Sequence, residues 1–220
     1  MPISQGRGAD GAVRDVALGK HHNAQLVSPA HGKYAEQALA GNLFWTSTVV
    51  AGLAIPIDTT TAPRVMLWNP GDSGVDAVLG TFTAAQASGT PAGGGWGLMA
   101  VSTTVSVGSN IATGNLITAF SQDVIGTNVF NAKLNSGRRP RVKSSSQGTN
   151  TIAAGTWIYS MGIGVHAAVT TSTAVDIPPQ IHDFNGLVVL PPGTAVYVAA
   201  NIASVALFQT TLSWYEVPAS

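Results

Sequence analysis

Ser73 lies in the run Gly71-Asp72-Ser73-Gly74, and His31, Asp58 and Ser73 follow one another in the order His, Asp, Ser. Such a set could do acyl transfer, with a serine activated by a histidine that a carboxylate orients. The 42 residues from His31 to Ser73 are too few to hold the scaffold this chemistry needs, and Asn69-Pro70-Gly71-Asp72-Ser73-Gly74 is also a plain turn composition. The glycine-rich stretch 89–97, GTPAGGGWG, lacks the Gly-Lys-Ser/Thr ending of a phosphate loop and reads as a flexible loop. His21, His22 and His31 have no i, i+4 helical framing, so a metal site is not expected. His166 and His182 stand alone, and a hydrogen-bonded role suits each. The carboxylates Asp72 and Asp76, or Asp176 and Asp183, have no partner set for acid–base work. The five tryptophans suit a β core better than a sugar site. We expect no catalytic residue and no cofactor.

One concentrated charge feature remains. Residues 133–143, KLNSGRRPRVK, hold Lys133, Arg138, Arg139, Arg141 and Lys143, half of the ten basic residues. No aromatic side chain is interleaved, which removes base stacking, and the net charge is zero, which argues against a nucleic-acid binder. Docking on an acidic protein surface fits the loop better.

Only 9% of the 220 residues are charged, against about 25% in an average domain. A monomer of this mass exposes about 9,000 Å², so the 20 charges are spread at about one per 450 Å². That density and a zero net charge favour association, and we expect a homo-oligomer or a larger lattice. From Ala77 to Gln122 there is no charged residue, but polar residues, Gly or Pro break the run every few positions. A membrane helix needs about 18 apolar residues in succession, and none is expected. The first twenty residues have no apolar signal-peptide core. The chain has no cysteine, so disulfides do not staple it.

The elements that must position these groups are β-strands. Residues 1–42 are poor in large apolar side chains and read as an extended N-terminal arm, with a helical turn at 34–40 ended by Gly41-Asn42. Residues 43–220 read as a β domain rich in Val, Thr, Ile and turn residues. Expected strands are 48–57, 64–68, 75–82, 97–107, 115–120, 139–143, 151–163, 186–190, 194–200 and 203–217. Pro191-Pro192-Gly193 has type II turn chemistry. The last strand alternates, with Ala206, Phe208, Thr210, Leu212 and Trp214 on one face and Leu207, Gln209, Thr211, Ser213 and Tyr215 on the other. The first face suits a core and the second, uncharged but half polar, suits a subunit interface. Residues 188–218 read as a β meander at the centre of a sheet.

Four phrases, HGKYAEQALAGNLFW (31–45), MLWNPGDSGVDAVL (66–79), GLVVLPPGTAVYVAA (186–200) and ALFQTTLSWYEVP (206–218), resemble structural proteins of tailed-bacteriophage virions, most closely capsid decoration (cement) proteins. Residues 83–180 carry no part of the resemblance. It implies an all-β, jelly-roll-like β-sandwich with an extended N-terminal arm, a homotrimer, and a place on the outer capsid surface against the major capsid protein. The expected docking residues are Arg7, Arg14, Lys20, His31, Lys33, Tyr34, Arg138, Arg139, Arg141 and Lys143. Tyr197, Phe208, Leu212, Trp214 and Tyr215 are expected in the core or subunit interface. A tail or receptor-binding module and a lectin-like binding protein are the alternatives.

Overall fold

In a computed structural model, the structure describes residues 3–7, 13–17, 33–102, 122–123, 127–146, 150–152, 155–165 and 178–219. The chain divides into a unit of residues 1–36 and a unit of residues 37–220. In the first unit, β1 (Ile3–Arg7) and β2 (Val13–Ala17) pair antiparallel, with Ile3 opposite Ala17 and Arg7 opposite Val13. The segment expected as an extended arm therefore contains a hairpin. The short helix α1 (Ala35–Leu39) ends as its sequence indicates. Gly41 takes φ +73°, its N–H donates to Ala38 O, and the Asn42 N–H donates to Gln37 O. This pattern satisfies the last carbonyls of a helix, and a residue without Cβ enters it at no steric cost.

The remaining strands form two antiparallel sheets. The first contains β3 (Leu43–Ser47), β5 (Val75–Ser88), β7 (Val129–Asn131), β10 (Gln180–Asp183), β11 (Val189–Leu190) and β13 (Leu207–Pro218). Its order is β10-β5-β13-β3-β7, and β11 pairs with the other end of β5. The second contains β4 (Met66–Asn69), β6 (Gly94–Ser102), β8 (Lys143–Ser145), β9 (Thr156–Val165) and β12 (Thr194–Ala200), in the order β8-β4-β12-β6-β9.

One core fills the space between the sheets. The first sheet contributes Phe44, Leu79, Phe82, Phe208, Leu212 and Trp214, and the second Leu67, Trp96, Leu98, Val196 and Val198. Phe44 stacks on Trp214 at 5.8 Å, and Trp96 meets Phe208 edge-on at 4.9 Å. The alternation expected along β13 holds: Phe208, Thr210, Leu212 and Trp214 are buried, while Leu207, Thr211, Ser213 and Tyr215 are half-buried and Gln209 is exposed. In β5, Leu79 and Phe82 both face the core because a bulge at Gly80-Thr81 shifts the alternation. Ser213 sits opposite it, its hydroxyl accepting from the Thr81 N–H at 2.7 Å.

A second cluster lies on the other face of the second sheet, where Met66, Met99, Val101 and Tyr197 pack with Ile152, Trp68 and Trp157. That sheet is covered on both sides. This explains why TAVYVAA and GLMAV read as unbroken apolar runs without alternation.

Three expectations need correction. Residues 188–218 are not a meander: β12 joins the second sheet, whereas β11 and β13 lie in the first. The Pro191-Pro192-Gly193 turn, with Gly193 at φ +82°, carries the chain between layers. Residues 48–57 form a connection with only two isolated bridges, Leu53 to Phe208 and Ile57 to Ala200, and the strand falls earlier, at β3. The stretch 89–97 is not simply a loop, because Gly94 onward is β6. A Cβ on Gly97 would lie 2.2 Å from the Trp157 ring and 2.5 Å from Tyr159 O. The glycine admits the neighbouring strand β9, and Gly97→Ala is expected to lower unfolding stability by about 1–3 kcal/mol in urea titration. The strand expected at 115–120 lies outside the described residues.

Candidate functional site

The basic loop does not present five equivalent charges. Lys133 Nζ donates to Leu39 O at 3.1 Å, Arg141 Nη1 to Ser73 O at 3.2 Å, and the Lys143 ammonium sits 4.8 Å over the Trp68 ring. These three contacts tie the loop to its own domain. Arg138 and Arg139 are exposed and line a groove beside β7. The loop is also fixed through its backbone, since Asn131 Nδ2 bonds Gly41 O at 2.8 Å and Arg138 O at 3.5 Å. Glu216, at the end of β13, is buried and accepts from the Arg141 and Val142 N–H groups at 2.8 and 2.9 Å. Burial pushes this carboxyl above the usual glutamate range, and the Val142 and Arg141 N–H groups and the Arg138 charge oppose that rise.

The other expected docking residues belong to the first unit. Arg7 and Arg14 lie on the paired strands β1 and β2, and Lys20 and His31 lie outside the described residues. The Lys33 ammonium sits 4.9 Å over the Tyr34 ring. Of the expected core or interface residues, Phe208, Leu212 and Trp214 are in the inter-sheet core. Tyr197 is buried on the back of the second sheet, where its hydroxyl accepts from the Gly155 N–H at 2.8 Å. Tyr215 is half-buried on the outward face of β13.

That outward face of the first sheet carries Asp76 and Asp183 toward its ends, and between them it is built from hydroxyl, amide and apolar side chains. Ser47 and Thr211 hydroxyls bond each other at 2.9 Å, as do those of Thr81 and Ser213. A groove of about 360 Å³ runs beside them, lined by Ser47, Thr83, Ile181, Gln209 and Thr211 among others, and among the described residues no charged side chain lines it. Ile181, 70% exposed, and Val50, 85% exposed, form its apolar rim.

A polar node was not legible as such in the sequence. The Asp123 carboxylate accepts from Thr46 Oγ1 at 2.5 Å, Ser144 Oγ at 3.1 Å, and the N–H and Oγ of Ser146 at 3.0 and 3.1 Å. It joins β3 of the first sheet to β8 of the second. The only local signal is the run Ser144-Ser145-Ser146, and nothing in it names the distant acid.

Of the set His31, Asp58 and Ser73, His31 lies outside the described residues. Ser73 Oγ lies 3.3 and 3.4 Å from the backbone O and N of Val75, closing a turn. His182 is held between Tyr159 and Phe184 at 5.5 and 4.8 Å, and burial lowers its pKa against the opposing effects of Asp183 and the Met161 backbone. His21, His22, His166 and Asp176 lie outside the described residues. Among the described residues no three His, Asp or Glu side chains group as a metal site, and no helix is long and apolar enough to cross a membrane. Compared with known protein families, characterised proteins and solved structures, the chain matches none of them.

Proposed function

We propose that the chain is a virion structural protein that binds the outer surface of a tailed-bacteriophage capsid as a trimer and stabilises the shell. The observation that carries this reading is the stretch of the first sheet's outward face around the groove, where among the described residues no charged side chain lines the surface. Its hydroxyl and amide groups can pair across an interface, and no charge lining its groove has to be stripped of water when a second subunit covers it. The sparse charge of the whole chain points the same way.

The strand order supports a jelly-roll-like β-sandwich. Taking β3, β4, β5, β6, β9, β10, β12 and β13 in turn, the chain alternates between layers except at β6 and β9, which pair within the second, giving β10-β5-β13-β3 in one and β4-β12-β6-β9 in the other. Such an order is what two Greek keys wrapped into a double sheet would give, an architecture used in viral shells, and it favours that reading. The segment β7–β8 is then an insertion that carries the basic loop. A trimer that binds only the assembled lattice stabilises that lattice by mass action, and contacts with several capsid subunits add by avidity.

The test is stoichiometry. Purified particles should carry this chain in hundreds of copies relative to the major shell protein, by mass spectrometry, and the isolated chain should be a trimer by light scattering. A handful of copies would place it in a tail or vertex. A micromolar monomer that is absent from particles would end the virion reading.

A further inference from the structure

We infer that the outer edge of β7 and the loop beside it form a docking groove for an extended, acidic peptide segment of the protein surface that this chain decorates. The inference rests on the decoration reading and gives its contact a location and a chemistry.

The ladder bonds between β3 and β7 set the geometry. Ser47 N–H donates to Asn128 O, and Ala132 N–H donates to Leu43 O. In an antiparallel pair, alternate residues turn their backbone groups toward the partner and away from it. Residues 128, 130 and 132 therefore face β3, so the N–H and C=O groups of Val129 and Asn131 face outward. Among the described residues β7 is the last strand on that side of the first sheet. Among the described residues no hydrogen bond reaches those four backbone groups. An open edge of this kind is a template for one more strand.

The space beside the edge is already shaped. A groove of about 400 Å³ is lined by Val129, Phe130, Asn131, Leu134, Arg138 and Arg139 among others. Phe130 is held by stacking on Trp45 at 6.2 Å, and Leu134 is 80% exposed. The loop forming the far wall is pinned by the Asn131, Lys133 and Glu216 bonds, so binding does not have to order it. Arg139 also borders the adjoining recess, which reaches Asp123 and Ser144. Among the described residues two cations and no acid line the main groove, beside apolar Phe130 and Leu134. The complementary occupant is an extended segment alternating apolar and acidic side chains, its backbone pairing with Val129 and Asn131. The edge offers three residues, roughly 10 Å of strand, so each site is weak and gains strength through repetition in a trimer.

The probe is a capped, fluorescent six-residue peptide alternating valine and glutamate, titrated into the full chain at low salt and followed by anisotropy. Saturable binding is expected, with slowed amide exchange at Val129 and Asn131. Changing Arg138 and Arg139 together to Ser should weaken it about tenfold or more. Replacing each glutamate with lysine should do the same. N-methylation of alternate peptide nitrogens should abolish binding. Both arginines are exposed, so an unchanged melting curve will separate lost docking from lost folding. Equal binding of the glutamate and lysine peptides, equal binding of the N-methylated peptide, or no saturation at millimolar concentration would overturn the inference. Abundant chain on particles with no peptide binding would refute the groove alone. Peptide binding with no chain on particles would refute the decoration reading alone.

Discussion

Asp123→Ala is expected to lower unfolding stability by on the order of 3–5 kcal/mol, the largest loss among the polar substitutions considered. Thr46, Ser144 and Ser146 are buried, and the carboxylate accepts the Thr46 hydroxyl, the Ser144 hydroxyl and the Ser146 N–H. Each buried donor left without an acceptor costs about 1–3 kcal/mol. Ser146 Oγ retains Ser47 O at 2.8 Å, which limits the loss. Asn in place of Asp123 would turn an amide N–H₂ toward groups that are themselves donors, so Asp123→Asn should rescue only part of the stability. Urea midpoints for the native chain and both variants would measure this. A change below about 1 kcal/mol in the alanine variant would show that water replaces the carboxylate.

Glu216→Ala should cost about 2–4 kcal/mol, because it orphans the Arg141 and Val142 N–H groups at the base of the basic loop. Glu216→Gln keeps an acceptor oxygen for both and removes the charge. The pH dependence separates the two roles. Burial raises the carboxyl pKa in the folded chain above its unfolded value. The folded state then binds the proton more tightly, so this group's contribution to stability is full below the unfolded pKa. It falls as pH rises from the ordinary glutamate range through the raised value. The native chain should therefore lose part of its stability over that window, and the glutamine variant should lose less. Denaturation at several pH values between about 4 and 8 tests the sign, and an identical slope in both chains would remove Glu216 as its source.

The same two carboxylates mark where local reading stops. In the sequence Asp123 ends an uncharged run and Glu216 interrupts an apolar one, and neither has an evident partner nearby. Their partners come from chain distances of 21 to 77 residues around Asp123 and 74 to 75 residues around Glu216. The bases of the docking groove are equally non-local. Arg138 and Arg139 stand out as charges, but it takes the tertiary structure to place them beside an open strand edge and to tie Lys133, Arg141 and Lys143 back onto the domain.

What the sequence determined by itself is local. The alternation from Phe208 to Tyr215 sets one buried and one outward face, because side chains along a strand alternate with period two. Pro191-Pro192-Gly193 sets a turn, because proline restricts φ and glycine accepts +82°. Gly41 ends α1 for the same steric reason. Frequent Val, Thr and Ile between clusters of turn residues set an all-β chain. Sheet membership was decided only in three dimensions. A strand's own pattern says which side is apolar, but not which strand will pair with it. TAVYVAA therefore read as a neighbour of the final strand, while in the fold it lies between β4 and β6 in the opposite layer. The short strands β3, β7 and β10 offer too few residues for a period to register, and pairing with longer neighbours is what makes them strands.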